Sequence, residues 1–589
     1  MLEVSGIRLS LDAALPENVE MRTKEVARAL GVSQRDFCSA VLTRKSVDAR
    51  KRNNVHFTTS FRVELPQSQE QRLLKGAPKG LNVRVAKEYE PLSYPDCSHP
   101  NRNQGGRIVV VGLGPAGLFA ALYLARCGLR PLVVERGFDV ERRAEDIAAF
   151  QETGALNPHS NIQFGEGGAG TFSDGKLTTN IKNPFAKHVL HWFADAGAPK
   201  SILVDAHPHL GSDNLPSIVS AMRNEVIERG GEVRFGTRLS GWNFAQGKLA
   251  TVQLENVETG ACEEVAAAEL VLACGHSARD VFELCRNQGF AMEQKPFSVG
   301  VRIEHSQQAI NQAQWGKASK HPALGAAEYK LAVHLPTGRS VYTFCMCPGG
   351  EVVAAASEEG GIVTNGMSRY ARAGKNANSA VLVNVDPADF GSSDVLAGVQ
   401  LQREIEQAAF RVSAEHGGKP YEAPSQRVGS FLGSSAPVKG AKPAPTYARG
   451  VIEAPIAECF PSFVSESLTQ ALPLLGRKLK GFDDPNALMT APETRSSSPV
   501  RICRGRDMQA RFAKDGFPAT GYILAGKAPA SKVALCLPPA MACGLPVELP
   551  SNTFNLESRP QGHALLGASF LNPGAVLRAS DLGRRSLRA

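Results

Sequence analysis

The chain has 589 residues, of which 43% are hydrophobic and 21% are charged, and its formal net charge is +9. This length exceeds a single hydrophobic core and predicts two to four domains of ordinary globular composition. No apolar run reaches membrane-spanning length, and the N-terminus lacks the basic-then-apolar order of a secretion signal. We therefore expect a cytoplasmic protein with no membrane partner, and the modest positive charge predicts no nucleic-acid partner.

Residues 1–92 have the pattern of a small α+β module. The segment IRLSL predicts a strand, TKEVARALG predicts a helix ended by Gly31, and residues 40–50 and 55–65 alternate as strands do. The basic stretch TRKSVDARKR is interpreted as a solvated strand end, and contact with an anionic partner is the alternative. Residues 93–106 are rich in Pro, Ser, Asn and Gly and predict a linker.

From Arg107 onward the pattern changes to strand, glycine turn, helix and strand, which is a βαβ unit. RIVVV is a continuous apolar run, as expected for a strand buried on both faces. The loop that follows it predicts dinucleotide binding, because its glycines allow a tight turn, close approach of a pyrophosphate and close packing of the helix. An acid at the end of the next strand has the spacing that suits contact with the adenosine ribose. These residues are Gly112, Gly114, Pro115, Ala116, Gly117 and Glu135.

A second glycine-rich stretch, FGEGGAGTFSDGKL, occupies residues 164–177. It offers many backbone N–H groups and few bulky side chains, so it could lie flat against a flavin ring and its phosphates. This favours FAD over NAD as the dinucleotide, and the alternative is a mobile surface loop. Hydrogen-bonding groups and a positive charge that could stabilise a reduced flavin come from Gly168, Gly170, Thr171, Ser173, Asp174 and Lys176.

No second Gly-x-Gly-x-x-Gly follows a predicted strand farther along the chain. The pattern therefore indicates a protein with one dinucleotide site and no dedicated nicotinamide domain. Between residues 296 and 473 strands with long connections predominate. The predicted fold is α/β, with a Rossmann-like FAD-binding domain in two parts (107–295 and 474–526) and an inserted substrate domain, mainly β or α+β, over 296–473.

Six segments together resemble a bacterial family of uncharacterised FAD-dependent dehydrogenases, within the larger group of glutathione-reductase-like, flavin-monooxygenase-like and geranylgeranyl-reductase-like folds. The resemblance runs from residue 1 to about residue 526. The segments are VVVGLGPAGLFAALYLA, FGEGGAGTFSDGKL, LACGHSARD, FSVGVRIEH, VYTFCMCPGGEVVAAASEEGGIVTNGMS and APETRSSSPVRI.

The resemblance implies FAD bound to the first glycine loop, to Glu135 and to Arg136. It also implies that the loop from Gly168 to Lys176 lies beside the flavin and that Ala273, Gly275 and His276 belong to a strand end near the cofactor. It supplies no substrate, because the family has no settled reaction.

After GYILAG, which ends at Gly526, the chain departs from the family's expected Gly-Glu-Gly-Ala-Gly segment. Reading Lys527 to Ala530 one base out of frame converts Lys-Ala-Pro-Ala to Glu-Gly-Ala-Gly. We therefore predict that residues 527–589 are a frameshifted, disordered tail. The alternative is a genuinely divergent tail, which would leave the flavin site without one wall and weaken FAD binding.

Three side chains are candidates for the chemistry. Arg302 or Arg495 could clamp a carboxylate or phosphate, and His276 could act as a general acid or base. The alternatives are an Arg302–Glu304 pair on one strand face and a histidine that only bonds nearby backbone.

The 12 cysteines are scattered, and the closest pair is Cys345 and Cys347 in FCMCPGG. A one-residue spacer suits no structural zinc site, and His207 and His209 lack a third ligand at metal spacing, so no metal is predicted. Buried reduced thiols are the favoured interpretation of the pair, and a thiol near a substrate pocket is the alternative.

These patterns predict an FAD-dependent oxidoreductase of dehydrogenase type that acts on a small organic substrate, with NAD(P)H or another transient electron donor as partner. Two alternatives remain open. One is a flavin-dependent hydroxylase, and the other is a non-catalytic protein that the altered C-terminus prevents from binding FAD.

Overall fold

The N-terminal module is a four-stranded antiparallel sheet with two helices in the order βαββαβ. The strand order is β2-β3-β1-β4, which is the ferredoxin-like arrangement. As expected, α1 ends at Gly31, whose φ of 63° is in the left-handed region. The elements are β1 (Leu2–Leu9), α1 (Val19–Leu30), β2 (Ser39–Asp48), β3 (His56–Glu64), α2 (Gln67–Lys75) and β4 (Asn82–Val85).

The next region contains a parallel sheet flanked by helices. Its first strand is the buried apolar run predicted from the sequence, and its first helix has Pro115 in the first turn, where a missing N–H costs nothing. The elements are β5 (Arg107–Val111), α3 (Pro115–Arg126), β6 (Leu132–Val134), α4 (Val140–Thr153), α5 (Phe185–Asp195), α6 (Leu215–Glu228), β7 (Glu232–Arg234), β8 (Thr237–Ala245), β9 (Lys248–Asn256), β10 (Cys262–Leu272), α7 (Arg279–Asn287) and β11 (Met292–Gln294).

A second region follows, and it holds a mostly antiparallel sheet of seven strands. Its elements are β12 (Phe297–Ser306), α8 (Gln307–Trp315), β13 (Ala332–His334), β14 (Ser340–Cys347), β15 (Glu351–Ala354), β16 (Thr364–Met367), β17 (Asn376–Val385), α9 (Ala397–Glu415), β18 (Ala423–Arg427), α10 (Val428–Phe431), β19 (Val451–Glu453), α11 (Ser462–Lys478), β20 (Leu488–Glu493), β21 (Val500–Ile502), β22 (Gln509–Arg511) and β23 (Pro518–Ile523).

The two sheets have different topologies. In the first, β10, β5, β6 and β7 are parallel neighbours, β23 pairs parallel with β10, and β22 closes the edge. In the second, seven strands follow the order β13-β14-β17-β12-β20-β18-β19. The carboxyl ends of β5, β6 and β10 therefore meet at one edge of the parallel sheet, where ligands bind in open α/β folds.

The predicted end of the inserted domain at residue 473 does not coincide with the end of the second sheet in the structure. Helix α11 runs through Pro473 without ending, and β20 pairs with β12, so the second sheet extends to Glu493. Strands β22 and β23 then return to the first sheet.

These coordinates come from a computed structural model that describes residues 1–97, 106–179, 185–246, 248–434, 442–505, 509–511 and 518–523. All of them lie in the unit Met1–Leu545. The predicted tail, residues 527–589, lies outside the described residues.

Candidate functional site

A cavity of about 430 Å³ opens at the carboxyl ends of β5, β6 and β10, within the range of roughly 300–1,000 Å³ that is usual for small-molecule sites. Both glycine-rich loops line it. Of the residues predicted to contact a cofactor, the cavity brings together Gly112, Gly114, Pro115, Ala116, Glu135, Arg136, Gly168, Gly170, Ser173, Asp174, Lys176, Ala273 and Gly275.

The first loop has backbone contacts that exclude side chains. A Cβ added to Gly112, whose φ is +97°, would lie 2.7 Å from the carbonyl oxygen of Ala273. A Cβ on Gly117 would lie 1.7 Å from the carbonyl oxygen of Gly112. Gly117 therefore sets the packing of helix on strand rather than lining the cavity. A Cβ on Gly114 would meet only the Cα of Gly168, at 3.7 Å, so the fold itself has room for a methyl group there.

The second loop packs directly on the first. The Gly167 N–H donates to the carbonyl oxygen of Leu113 at 2.8 Å. The Gly165 N–H donates to Glu135 Oε1 at 3.0 Å. A Cβ on Gly168 would lie 2.9 Å from the Cα of Gly114. The two glycine-rich loops thus form one continuous backbone wall, although some fifty residues separate them along the chain.

Glu135 holds this wall together. Its carboxylate accepts hydrogen bonds from the N–H groups of Leu113 at 2.7 Å and of Gly137 and Gly165 at 3.0 Å each. The sequence pattern predicted only a contact with a ribose, and the structure adds this scaffold role. Arg136 pairs with Asp280 at 2.5 Å, and its guanidinium lies 4.5 Å from the centre of the Phe164 ring.

Two predicted hydroxyl ligands are used inside the second loop. The Thr171 hydroxyl donates to the carbonyl oxygen of Glu166 at 3.0 Å, and Thr171 is buried away from the cavity. The Ser173 hydroxyl donates to the carbonyl oxygen of Gly170 at 2.7 Å, although Ser173 lines the cavity. The structure therefore assigns Thr171 to the interior of the loop, because a threonine fills the space beneath Gly167.

Lys176 lies within a buried charge cluster at the cavity wall. Its ammonium donates to Asp174 and to the carbonyl oxygen of Met346. Asp174 also pairs with Arg372 at 2.5 Å. Desolvation acts against the charge of Lys176, but the neighbouring Cys347 and Asp174 raise its pKa above the ordinary value. Desolvation likewise opposes the Asp174 charge, and Lys176 and Arg372 lower its pKa. Lys176 therefore stays a cation at neutral pH.

Of the three catalytic candidates, only His276 lines the cavity. Arg302 is fully buried and donates to Glu493 and to the carbonyl oxygen of Cys345, each at 2.9 Å. The alternative of an Arg302–Glu304 pair is also wrong, because the neighbouring strand β20 supplies Glu493 and the more distant β14 supplies the Cys345 carbonyl. Glu304 instead accepts from Asn376 and Thr446.

Arg495 lies in a buried ion cluster outside the described lining of the cavity. Its guanidinium donates to both carboxylate oxygens of Glu406, each at 2.8 Å. Arg279 of α7 donates to the same carboxylate at 3.0 and 3.1 Å. The pair of arginines therefore joins the parallel-sheet region to α9 of the second region, so the structure gives Arg495 a structural partner where a substrate clamp was expected.

The second region completes the cavity wall with Phe344, Cys345 and Asn365, and Arg372 reaches Asp174. The cysteine was predicted as a thiol near a substrate pocket. Asn365 and Arg372 belong to the polar segment of residues 365–380, whose composition is typical of a loop over a pocket. Sequence reasoning missed Phe344, which lies some two hundred residues farther along the chain than the glycine-rich loops.

No group of three His, Cys, Asp or Glu residues in the described ranges is arranged to hold a metal ion. No described helix has both the length and the apolar character to cross a membrane.

Glu166 belongs to the second loop, and its side chain is fully buried. Its Oε2 accepts from the Val140 N–H at 3.0 Å, and its Oε1 lies 3.1 Å from Nε of Arg223. Desolvation raises its pKa to about 7, against the opposing effect of Arg223. The folded protein thus holds a proton that the unfolded chain releases above about 4.5.

Stability contributed by protonated Glu166 should therefore be lost as the pH rises from about 4.5 through about 7. We expect Glu166→Gln to remove this loss, on the order of 3 kcal/mol, so its melting temperature should gain on wild type between pH 5 and pH 8. Thermal melts across this range measure the difference. Glu145→Gln, at an exposed site on α4, is the control. An equal difference at both pH values for Glu166→Gln would contradict the prediction.

Three family models match the chain. The model described as "FAD-dependent protein, C-terminal domain-like" matches residues 296–496, "Pyridine nucleotide-disulphide oxidoreductase" matches residues 106–318, and a domain of unknown function matches residues 1–64. An uncharacterised protein of Clostridium beijerinckii is 41% identical over 510 residues, which is 86% of this chain and 92% of the relative. The chain belongs to an uncharacterised family of FAD-dependent oxidoreductases.

Other similarities of this FAD-dependent oxidoreductase are partial. Aklavinone 12-hydroxylase of Streptomyces peucetius is 28% identical over 182 residues, and the chain spans 35% of its length. Among solved structures, the glycerol-3-phosphate dehydrogenase of Bacillus halodurans complexed with FAD is 12% identical over 49% of each chain, with a TM-score of 0.25. Aklavinone-11 hydroxylase with FAD and aklavinone is 17% identical, with 49% of this chain and 47% of that chain covered and a TM-score of 0.26.

The predicted fold class and the predicted cofactor, FAD, are both confirmed for this oxidoreductase family. The cavity suits the cofactor for three physical reasons. The walls are bare backbone at the two glycine-rich loops, α3 begins at the cavity with its positive dipole end, and Arg136 and Lys176 supply positive charge. When bound, FAD supplies two-electron oxidation and reduction.

Proposed function

We propose that this oxidoreductase binds FAD in the cavity shared by the two glycine-rich loops and acts as a dehydrogenase on a small organic substrate. The observation that supports this proposal most directly is that the two loops form one backbone wall at the carboxyl edge of the parallel sheet, although they are distant in sequence. A diphosphate and a flat ring both need such a wall, because backbone N–H groups can approach them where side chains cannot.

Each part of the wall has a proposed role. Gly112, Gly114 and the first turn of α3 would hold the pyrophosphate, and Glu135 would meet the adenosine ribose with its remaining acceptor capacity. The loop from Gly168 to Lys176 would lie along the flavin.

The remaining parts of the site are assigned on the same basis. Ala273 and Gly275 supply backbone at the end of β10, and Arg136 supplies charge. Of the three catalytic candidates, His276 is the one at the cavity, where its imidazole could hold or move a proton.

Residues of the second region would orient the substrate. Phe344 and Asn365 face the cavity from β14 and β16, one with an apolar ring and one with an amide. This combination suits a small molecule with a flat or apolar body and one polar group. The proposed electron donor is NAD(P)H that binds only transiently, because the sequence shows one dinucleotide loop and no dedicated nicotinamide domain. The proposed compartment is the cytoplasm.

A flavin-dependent hydroxylase is the second candidate. The 28% identity to aklavinone 12-hydroxylase over 182 residues supports it. The two functions differ in the fate of oxygen. A hydroxylase would transfer an oxygen atom from O₂ to its substrate, whereas a dehydrogenase would transfer electrons to an acceptor and leave no oxygen from O₂ in its product. Mass spectrometry of products formed under isotopically labelled oxygen separates them.

The first experiment is a visible spectrum of the purified full-length protein with and without added FAD. We expect flavin absorbance that stays with the protein on gel filtration and is bleached anaerobically by NADH or NADPH. A colourless protein that takes up no FAD would overturn the proposal and support the non-catalytic alternative. The intact mass of native protein tests the frameshifted tail, since a mass that matches the printed sequence excludes a sequencing error.

A further inference from the structure

The segment Phe344–Cys347 forms an irregularity at the edge of the cofactor cavity. The pairing of β14 with β17 shifts register between Phe344 and Cys347. Cys345 within it has a φ of +42°, which residues with a side chain rarely adopt. Bulges and positive-φ residues of this kind are enriched at functional sites because they turn a side chain in a new direction. Here Cys345 lines the cavity.

The two cysteines of this bulge are neighbours with unequal access. Cys347 is fully buried, and its thiol lies 3.2 Å from the carbonyl oxygen of Cys345, to which it donates. Hydrogen bonding to the Cys345 side chain, followed by burial, raises the pKa of Cys347 well above its ordinary value. Cys345 is partly accessible at the cavity wall. One thiol is therefore placed to meet a reactant, and the other is kept protonated behind it.

Two cations hold the bulge. Arg302 donates to the carbonyl oxygen of Cys345 at 2.9 Å. Lys176 donates to the carbonyl oxygen of Met346. Both positive charges act in favour of a thiolate at Cys347 and so partly offset its burial. A structural thiol needs no such environment, whereas cysteines that exchange electrons are typically found near positive charge.

We propose that Cys345 and Cys347 are a redox-active dithiol that reduces low-molecular-weight disulfides at the cavity. The Cys345 thiolate attacks one sulfur of the disulfide and releases the first thiol product. The Cys347 sulfur then attacks Cys345 in the mixed disulfide and releases the second. The pair loses two electrons and becomes a disulfide, the substrate disulfide gains them, and the protons of the two cysteines end on the two released thiols.

This inference goes beyond the proposed function, because the exchange needs only the two cysteines and can be measured without FAD. FAD also carries two electrons, so cofactor and dithiol match in stoichiometry. A short-lived disulfide of this kind is compatible with a reducing compartment, where disulfides are transient and catalytic.

The test uses the full-length protein incubated with mixtures of reduced and oxidised glutathione, with and without FAD. After acid quenching and alkylation, the tryptic peptide between Arg339 and Arg369 is analysed by mass spectrometry. We expect a disulfide within this peptide whose amount follows the glutathione ratio. Cys347→Ser should accumulate glutathione on Cys345, because the second attack is lost, and Cys345→Ser should form neither product.

Cys274→Ser is the matched control, since Cys274 also lines the cavity and lies outside the bulge. It should form the disulfide as wild type does. Circular dichroism checks that each variant is folded. The proposal would be overturned if both thiols of the wild-type peptide were still alkylated at a large excess of oxidised glutathione. It would also be overturned if glutathione were attached to Cys347 in the Cys345→Ser variant. Failure to bind FAD would leave the disulfide result unchanged, so the two proposals fail separately.

Discussion

Gly117→Ala is expected to destabilise the protein by about 3 kcal/mol and to abolish FAD binding. The new methyl group would lie 1.7 Å from the carbonyl oxygen of Gly112, a backbone atom that cannot move aside without moving the loop. Helix propensity favours alanine by about 1 kcal/mol, which is too little to compensate. Separation of α3 from β5 would also remove the helix N-terminus from the cavity. Thermal melting and FAD fluorescence titration measure the two effects.

Gly114→Ala separates folding from binding. Its methyl group would have ordinary contact with Gly168 at 3.7 Å, and its φ of −68° suits alanine. The apoprotein should therefore lose less than about 1 kcal/mol. FAD affinity should fall at least about tenfold, or 1.4 kcal/mol, because the methyl group covers the backbone proposed to meet the pyrophosphate. Gly325→Ala, where a Cβ would have no neighbour within 4 Å, is the control for both measurements.

The two glycine variants can disprove the site independently. Wild-type FAD affinity in Gly114→Ala would exclude a pyrophosphate beside that residue. A wild-type melting temperature in Gly117→Ala would show that α3 and β5 can separate without cost, against the close packing in the structure.

Glu406→Gln is expected to lower the melting temperature by on the order of 10 °C. The substitution leaves Arg279 and Arg495 buried and facing a neutral amide, and loss of one partner from a buried ion cluster costs about 3–5 kcal/mol. Desolvation alone would raise the pKa of Glu406, but Arg495 and Arg279 lower it to about 2. The stability from this carboxylate is therefore present above about 4.5 and is lost as the pH falls through about 2.

Differential scanning calorimetry at pH 7 and at pH 3 measures this effect, and the deficit of Glu406→Gln should shrink at the lower pH. Glu404→Gln lies two residues away on α9 and is exposed. It should change the melting temperature little, because exposed substitutions usually stay within about 0.5 kcal/mol. A deficit of equal size in both variants would mean that loss of a negative charge anywhere on α9 destabilises the protein, and that the buried cluster contributes nothing specific.

The βαβ unit and its glycine loop could be predicted from sequence because their determinants are local. An apolar strand, a turn that needs Gly112 at positive φ and a small-residue helix all lie within about twenty residues. The same holds for the end of α1 at Gly31. Such features depend on backbone conformation, which nearby residues set.

The partners of charged side chains could not be predicted in this way. Arg302 and Glu304 share a strand face, yet each bonds to groups on flanking segments. Arg495 was read as a ligand clamp, and Glu406 of α9 neutralises it. Long side chains take the best buried partner within reach, and the pairing of distant strands and helices determines which partner that is.

Local sequence therefore accounts for the two glycine-rich loops and for the need of each for bare backbone. The union of the loops into one wall arises from packing within the first region, and the bulge that carries two thiols arises from strand pairing within the second. The closing of the wall by Phe344, Cys345 and Asn365 arises from the packing of one region on the other. The physical reason is range. Backbone preferences act over a few residues, whereas a cavity forms only when burial of apolar surface brings together segments hundreds of residues apart.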